Sequence, residues 1–185
     1  MDVPSRGLFT GNRGILHTSD KVMGAALWKH RAWICCTLTW KNWRRNVMTG
    51  HNWTELFFLD EAVAMAAGHR PCAYCRRANY NAFSEAWGES LKAPQMDAVL
   101  HRARAVNGAR HLQTHQAQAQ DLPDGTFIKT DQPYLLRRDA AFPYAPNGYG
   151  APKSRPTGVV TALTSAPMIG VLRGGYAPQL HPSAG

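Results

Sequence analysis

The feature that most constrains this chain is a short turn that carries two cysteines at metal-ligand spacing. Pro71 precedes Cys72, two residues separate Cys72 from Cys75, and Arg76 and Arg77 follow. A Cys-x-x-Cys turn points both sulfurs to one side, so a tetrahedral ion can take two ligands from the turn and two from elsewhere in the fold. The motif therefore predicts half of a site for Zn²⁺.

The other ligands must come from a small set of residues. The chain has four cysteines and eight histidines, and the two remaining cysteines are the adjacent Cys35 and Cys36. Neighbouring residues on a strand face opposite sides, so only one of these two thiols is expected to reach the ion. One thiol and one histidine would complete a closed, structural site.

Two other interpretations of the cysteines stay open. A redox motif of the thioredoxin type needs a helix that starts at the first cysteine, whereas here a helix is predicted to end just before Cys72. Alternatively, all four cysteines are ordinary buried apolar side chains. The Gly, Pro and Arg residues around the motif favour the metal site.

Residues 58–76 carry a specific series of residue types, Phe-Leu-Asp-Glu-Ala-Val-Ala-Met-Ala-Ala-Gly-His-Arg-Pro-Cys-Ala-Tyr-Cys-Arg. This series resembles the second half of the Ada-type zinc module of bacterial alkylation-response DNA repair proteins. That module typically shows a Glu-Ala helix, then Ala-Ala-Gly and Arg-Pro-Cys-x-x-Cys. Upstream, the Gly-Ile-Leu-His of residues 14–17 resembles the Gly-Ile-Phe-Cys that opens the family's first ligand pair.

The resemblance places His17 where the family has its first cysteine and Lys21 where it has the partner of that cysteine. In the family the first cysteine also accepts a methyl group from DNA, and an imidazole is no zinc-activated thiolate, so this reaction is not carried over. The missing thiol is expected from the long stretch between His17 and Cys72, with Cys36 preferred to Cys35. A surface or capping role is the alternative for His17. The predicted metal ligands are Cys72, Cys75, Cys36 and His17.

The charge of the chain indicates a polyanionic partner. Lys and Arg number 21 against 12 Asp and Glu, which gives a formal net charge of +9, and such a field attracts nucleic acid. Between residues 40 and 53, cations alternate with tryptophans, so phosphates can be neutralised while rings stack on exposed bases. A hairpin with inward tryptophans and solvated cations is the alternative. We predict nucleic acid, DNA in preference to RNA, contacted by Lys41, Trp43, Arg44, Arg45, Arg70, Arg76 and Arg77.

The order of predicted elements indicates an α+β fold in two parts. Residues 1–106 form a zinc-bearing, basic half with a β-hairpin of residues 31–39 and 45–48 and with short helices at 60–68, 77–87 and 95–106. Asp60 is the expected cap of the first helix, which ends at Gly68. Residues 107–122 are a polar connector, and residues 123–185 form a small β-rich unit with strands at 126–129, 134–137 and 159–163.

The compartment follows from what the sequence lacks. No apolar run approaches the length of a membrane span, and residues 1–6 lack the apolar core of a signal peptide. Four cysteines in this arrangement suit reduced thiols better than a disulfide scaffold. We therefore expect a cytoplasmic protein without a membrane partner.

Three classes of function remain open. The first is a zinc-stabilised nucleic-acid-binding protein with a role in DNA repair, regulation or defence. The second is a metal-dependent nuclease or repair enzyme of the treble-clef type, with His101, His111 and His115 near Asp97 as candidate catalytic residues. The third is a protein-interaction module whose basic face meets an acidic protein. No Ser-His-Asp pattern stands out, and the sequence leaves open whether the chain is an enzyme and which oligomer it forms.

Overall fold

A computed structural model describes residues 7–41, 47–109 and 111–185. Within these ranges the protein is a mixed α+β structure with four helices and three β-sheets, as the predicted fold class requires. The helices are α1 (Glu61–Ala66), α2 (Arg77–Ala86), α3 (Ala93–Arg104) and α4 (Ala166–Arg173). The predicted helices at 77–87 and 95–106 correspond to α2 and α3.

The described residues of the N-terminal half form six short strands. They are β1 (Phe9–Asn12), β2 (His17–Ser19), β3 (Val22–Met23), β4 (Ile34–Thr37), β5 (Leu56–Phe58) and β6 (Arg70–Pro71). Four of them form a sheet in the order β5-β1-β4-β6, and only the β4–β6 pair is parallel. Strands β2 and β3 form a separate hairpin. The parallel pair matters most for function, because β6 leads directly into the Cys-x-x-Cys turn.

In the C-terminal half, residues 111–185 contain seven strands. They are β7 (His115–Gln118), β8 (Phe127–Lys129), β9 (Pro133–Arg137), β10 (Ala140–Ala145), β11 (Gly148–Tyr149), β12 (Lys153–Ser154) and β13 (Val159–Ala162). They build one antiparallel sheet in the order β11-β10-β9-β8-β13-β7, and β12 also pairs with β10. The predicted strands at 126–129, 134–137 and 159–163 correspond to β8, β9 and β13.

The two halves share an apolar core. Helix α4 packs against α2 and α3, and its buried Met168, Val171 and Leu172 lie in one cluster with Phe83 of α2 and Leu100 of α3. Burial of such side chains is worth roughly 1.5–3 kcal/mol each. The C-terminal half therefore supports the helices that flank the Cys-x-x-Cys turn.

The predicted cap of α1 is confirmed. The backbone N–H of Val63 donates to Asp60 Oδ1 at 2.9 Å, which satisfies one of the unpaired donors of the first turn. Asp60 has an extended backbone, as an N-cap residue should. The chain leaves the helix through Gly68, which has a φ of +82°, and then enters β6.

The predicted hairpin differs from the observed sheet. Strand β4 lies inside the predicted segment 31–39, but it pairs with β1 and β6. Residues 45 and 46 of the predicted partner lie outside the described residues, and residues 47 and 48 form a turn. The apolar run at residues 31–39 predicts a strand correctly, but its partners are distant in sequence.

The C-terminal half also differs from the prediction in two places. The predicted connector at 107–122 contains β7, an edge strand that pairs only with β13. Its residues alternate between half-buried and exposed, with Ala117 packed on the core, and a Gln-rich edge strand gives little hydrophobic signal. The predicted β-rich unit contains α4, which starts with Pro167 in its first turn, where the missing proline N–H costs nothing.

We expect Gly68→Ala to lower the free energy of unfolding by about 2 kcal/mol or more. A Cβ at this position would lie 2.4 Å from Cδ of the buried Arg104 and 3.2 Å from Cε3 of Trp33, and the left-handed backbone adds a cost of roughly 1–2 kcal/mol. Gly88→Ala is the matched control, because Gly88 has a φ of +78° with open space around it. Urea unfolding measures both changes. Equal losses for the two variants would contradict the packing argument.

Candidate metal centre and adjoining pocket

The structure brings three cysteines together. The Sγ atoms of Cys36, Cys72 and Cys75 all lie within 4.8 Å of one another. Cys36 lies on β4, and the other two lie in the turn that follows β6. All four cysteines and all eight histidines of the sequence fall in the described ranges, and no fourth such side chain joins the group there.

The parallel pairing of β4 and β6 explains this meeting. Cys35 lies opposite Pro71 in the register, and the N–H of Cys72 donates to the carbonyl of Cys35 at 2.9 Å. These contacts hold the Cys-x-x-Cys turn next to β4. Within the turn, the N–H of Tyr74 donates to Cys72 Sγ at 3.4 Å, which orients that sulfur and favours its thiolate form.

Strand alternation decides which of the adjacent cysteines takes part. Cys35 points into the core, where it is 1% exposed and packs with Phe9 and Phe58, and burial raises the pKa of its thiol. Cys36 points to the opposite face and meets Cys72 and Cys75. The geometry thus favours Cys36 as the third ligand.

The three sulfurs fit a metal ion. In a tetrahedral zinc site with Zn–S bonds of about 2.3 Å, the sulfurs lie about 3.8 Å apart, and sulfurs that all lie within 4.8 Å of one another are compatible with that spacing. Hydrogen bonds with Cys36 and Cys75 lower the pKa of Cys72, and hydrogen bonds with Cys72 and Cys75 raise the pKa of Cys36. Three coupled thiols of this kind can hold a soft or borderline metal ion as thiolates.

His17 does not join the three sulfurs. Its Nε2 lies 3.1 Å from the carbonyl of Gly50, and its Nδ1 lies 2.7 Å from Thr54 Oγ1. Because a carbonyl can only accept, Nε2 carries the proton and Nδ1 accepts from the Thr54 hydroxyl. Both ring nitrogens therefore tie β2 to the segment before β5, and the structure does not bring His17 into the group of three sulfurs.

Two arginines of the predicted phosphate-binding set are buried in ion pairs. Arg70 Nε and Nη2 donate to the two carboxylate oxygens of Asp97, each at 2.8 Å, and Arg76 Nη1 donates to Glu61 Oε1 at 2.7 Å. Their side chains are 6% and 2% exposed. Both guanidinium groups are used in buried ion pairs that link elements of the fold, so the structure does not place them on the surface, where phosphate contacts are made.

The rest of the predicted nucleic-acid-binding set divides into two groups. Lys41 and Arg77 are exposed, as phosphate contacts must be. Trp43, Arg44 and Arg45 lie outside the described residues. Of the other tryptophans in that stretch, Trp40 is 37% exposed, and its ring centroid lies 5.5 Å from that of Tyr74.

The three candidate catalytic histidines do not form a site with the cysteines. His101 packs edge-on against Trp28 and Trp33, and burial, together with Arg104 and Arg31, lowers its pKa. His111 is exposed before β7, and His115 lies in β7, so the two do not share a helix face. Asp97, expected near them, is paired with Arg70.

A pocket of about 900 Å³ opens beside the three cysteines, within the size range of small-ligand sites. Its walls include all three sulfur-bearing residues and four aromatic side chains, namely Trp40, Trp53, Phe57 and Tyr74. Glu55 lines it as well and is 8% exposed. Tyr74 and Glu55 are not among the predicted site residues. The position of Tyr74 inside the Cys-x-x-Cys turn is a signal that could have identified it, whereas nothing in the sequence marks Glu55.

None of the helices in the described part of the chain has the length and hydropathy of a membrane span. The metal-ligand group and the pocket both belong to the N-terminal sheet and the turn after β6. Comparison of the chain with protein-family models, curated proteins and solved structures finds no match.

Proposed function

We propose that this protein is a zinc-stabilised nucleic-acid-binding protein and that DNA is its preferred partner. The observation that carries the proposal is the group of three sulfurs within 4.8 Å of one another, on elements held by backbone pairing. Thiolates select zinc or iron–sulfur centres among biological metals. A single tetrahedral zinc with three thiolates is compatible with this spacing.

The surface beside the cysteines supports a nucleic-acid partner. The chain has a formal net charge of +9, which attracts polyanions over long range. Trp40 and Tyr74 expose their rings at the pocket, and Lys41 Nζ lies 5.9 Å from the Trp40 ring centroid. Stacking platforms next to cations are how proteins bind unpaired strands. Arg77, at the start of α2, adds a second exposed cation.

The resemblance of residues 58–76 to the Ada-type module supports a role in DNA repair, regulation or defence. The departure at His17 limits how far the resemblance extends. His17 is hydrogen-bonded on both ring nitrogens, and Cys36 is the thiol nearest the Cys-x-x-Cys turn. The proposal therefore includes zinc binding and DNA binding, and it does not include the family's methyl-acceptor reaction.

We expect the affinity for single-stranded DNA to fall steeply with salt. On a single strand, each phosphate contact that is lost should make the slope of log K against log[salt] shallower by about 0.7. Lys41→Gln and Arg77→Gln should each produce this change, and the double variant should produce both. Fluorescence anisotropy of a labelled oligonucleotide over a series of salt concentrations measures the slopes.

Lys129→Gln is the matched control for these variants. Lys129 is exposed on β8, in the C-terminal sheet, and its loss removes the same charge from another surface. Its slope should equal that of the parent. No binding by the parent at low salt would reject a nucleic-acid partner, and an equal effect of Lys129→Gln would show attraction by net charge alone.

A metal-dependent nuclease or repair enzyme is the second candidate. The observation that favours it is the ligand count, because three protein ligands beside a pocket leave one position open, as catalytic zinc sites do. The histidines at 101, 111 and 115 supply no ligand to it. Zinc-loaded protein that cleaves an oligonucleotide, with activity lost in Cys36→Ser, would favour this candidate over simple binding.

A further inference from the structure

One face of the N-terminal sheet forms part of the pocket wall. Cys36 and Phe57 both lie opposite Thr10 in the register, one on each side of it, so the three side chains share one face. Glu55 lies two residues before Phe57 and lines the same pocket. Two strand spacings separate Cys36 from Phe57, which is about 10 Å. Glu55 is thus outside the ligand group but inside the cavity that adjoins it.

Glu55 has one carboxylate oxygen in use and one without a partner. Oε2 accepts from the N–H of Met48 at 2.9 Å, whereas Oε1 is buried and has no hydrogen-bond partner in the part of the chain that the structure describes. A buried unpaired acceptor costs about 1–3 kcal/mol or more when it is charged. A ligand with an N–H donor would remove that cost.

The aromatic side chains define the shape of such a ligand. Trp40 and Tyr74 are 37% and 66% exposed, which places their rings at the mouth of the pocket, and Trp53 and Phe57 lie further in. Flat rings on several sides suit a flat heterocycle. Lys41 stands at the same mouth, where a phosphate of the attached strand would pass.

We infer that this pocket binds one unpaired nucleobase with an exocyclic amino group, which donates a hydrogen bond to Glu55 Oε1. The inference rests on the proposed nucleic-acid function and names the kind of base that it takes. Cytosine, adenine and guanine present an amino donor on their pairing edge. Thymine presents a single N–H between two carbonyl oxygens. These two oxygens and a carboxylate repel each other. The basic chain and Lys41 at the mouth favour a base on a phosphate strand over a free organic cation.

The test compares oligodeoxycytidine with oligothymidine of equal length on the zinc-loaded full chain. Equal length makes the phosphate contribution equal, so any difference comes from the bases. We expect oligodeoxycytidine to bind about tenfold more tightly, the ratio that one hydrogen bond to a charged group supports. Glu55→Gln should reduce this ratio to about one, because an amide offers both a donor and an acceptor.

Glu89→Gln is the control for Glu55→Gln, since Glu89 is exposed after α2 and the charge change is identical. It should keep the preference for cytosine.

Tyr74→Ala covers the case in which Glu55→Gln fails to fold, because Tyr74 is mostly exposed. We expect it to weaken the binding of both oligonucleotides about tenfold through loss of stacking.

The outcomes separate the inference from the function on which it rests. Failure of the parent to bind either oligonucleotide at low salt would reject the proposed function. Equal affinity for both, with the salt slope still reduced by Lys41→Gln, would overturn the base pocket and leave nucleic-acid binding in place. Displacement of bound oligodeoxycytidine by tetramethylammonium at constant ionic strength would also overturn it, because the pocket would then be a cation site.

Discussion

Cys72→Ser is expected to lose its bound zinc and to lower the free energy of unfolding by more than about 3 kcal/mol. A ligand that binds only the folded protein stabilises it by about 4 kcal/mol when its concentration exceeds Kd a thousandfold, and three thiolates bind zinc far more tightly than two. Elemental analysis of protein purified without an affinity-metal step gives the zinc content. Urea unfolding of the same samples gives the stability.

Three comparisons make this result specific to the metal. In excess chelator the parent and Cys72→Ser should unfold alike, since Cys72 is only half-buried. Cys35→Ala should keep the zinc while losing core packing, and His17→Ala should keep it as well. Zinc retained in Cys72→Ser, or lost in His17→Ala, would show that the ion has other ligands than the three sulfurs.

The Cys-x-x-Cys turn and the helices around it could be predicted from local sequence. Spacing within four residues fixes how two sulfurs point, and the Asp60 cap and Gly68 exit are signals that lie within one turn of the helix they bound. The third ligand is different, because the choice between Cys35 and Cys36 depends on which face of β4 packs on the core. The face of β4 that packs on the core is set by strand partners that lie far away in the sequence.

The role of the basic residues could not be predicted from composition. From the sequence, Arg70 and Arg76 are expected to belong to a cationic surface. Their carboxylate partners lie 27 and 15 residues away in the chain. Only the packing of α1 and α3 around the turn brings those charges together. Buried arginine is retained where a carboxylate satisfies it, and sequence alone does not reveal that pairing.

Glu55 shows the same limit in the pocket. From sequence alone, a single glutamate before an apolar strand is expected to be an ordinary solvated residue. The structure buries it because β5 pairs with β1 and the loop at Met48 closes over one carboxylate oxygen. Glu55 then lines a cavity that also reaches the cysteines, and its second oxygen is buried without a partner among the described residues. Candidate sites of this kind depend on topology and cannot be found from motifs.

Glu61→Gln is expected to lower the free energy of unfolding by about 3–5 kcal/mol. The Glu61 side chain is fully buried at the start of α1, where its carboxylate accepts from Arg76 Nη1, from the hydroxyl of Tyr176 and from the N–H of Gln179. The amide keeps the shape but leaves the Arg76 guanidinium buried without a counter-charge, and breaking a buried pair in this way costs that much. Urea unfolding of the zinc-loaded protein measures it.

The loss of stability should be smaller when both Glu61 and Arg76 are replaced. Arg76 follows Cys75 directly, and its guanidinium lies 4.3 Å from the Phe9 ring centroid and 3.4 Å from Cys35 Sγ. Replacing it by methionine in the Glu61→Gln background removes the unpaired charge and keeps apolar contact with Phe9. The double variant should therefore be more stable than Glu61→Gln alone.

Glu85→Gln is the control, because Glu85 is exposed on α2 and surface changes of this kind stay within about 0.5 kcal/mol. If Glu61→Gln unfolds like Glu85→Gln, the ion pair is not what holds α1 against Arg76 and the start of α2. If the double variant is less stable than Glu61→Gln, Arg76 stabilises the turn through its contacts with Phe9 and Cys35. If the double variant folds stably but binds zinc more weakly, Arg76 supports the conformation of the Cys-x-x-Cys turn.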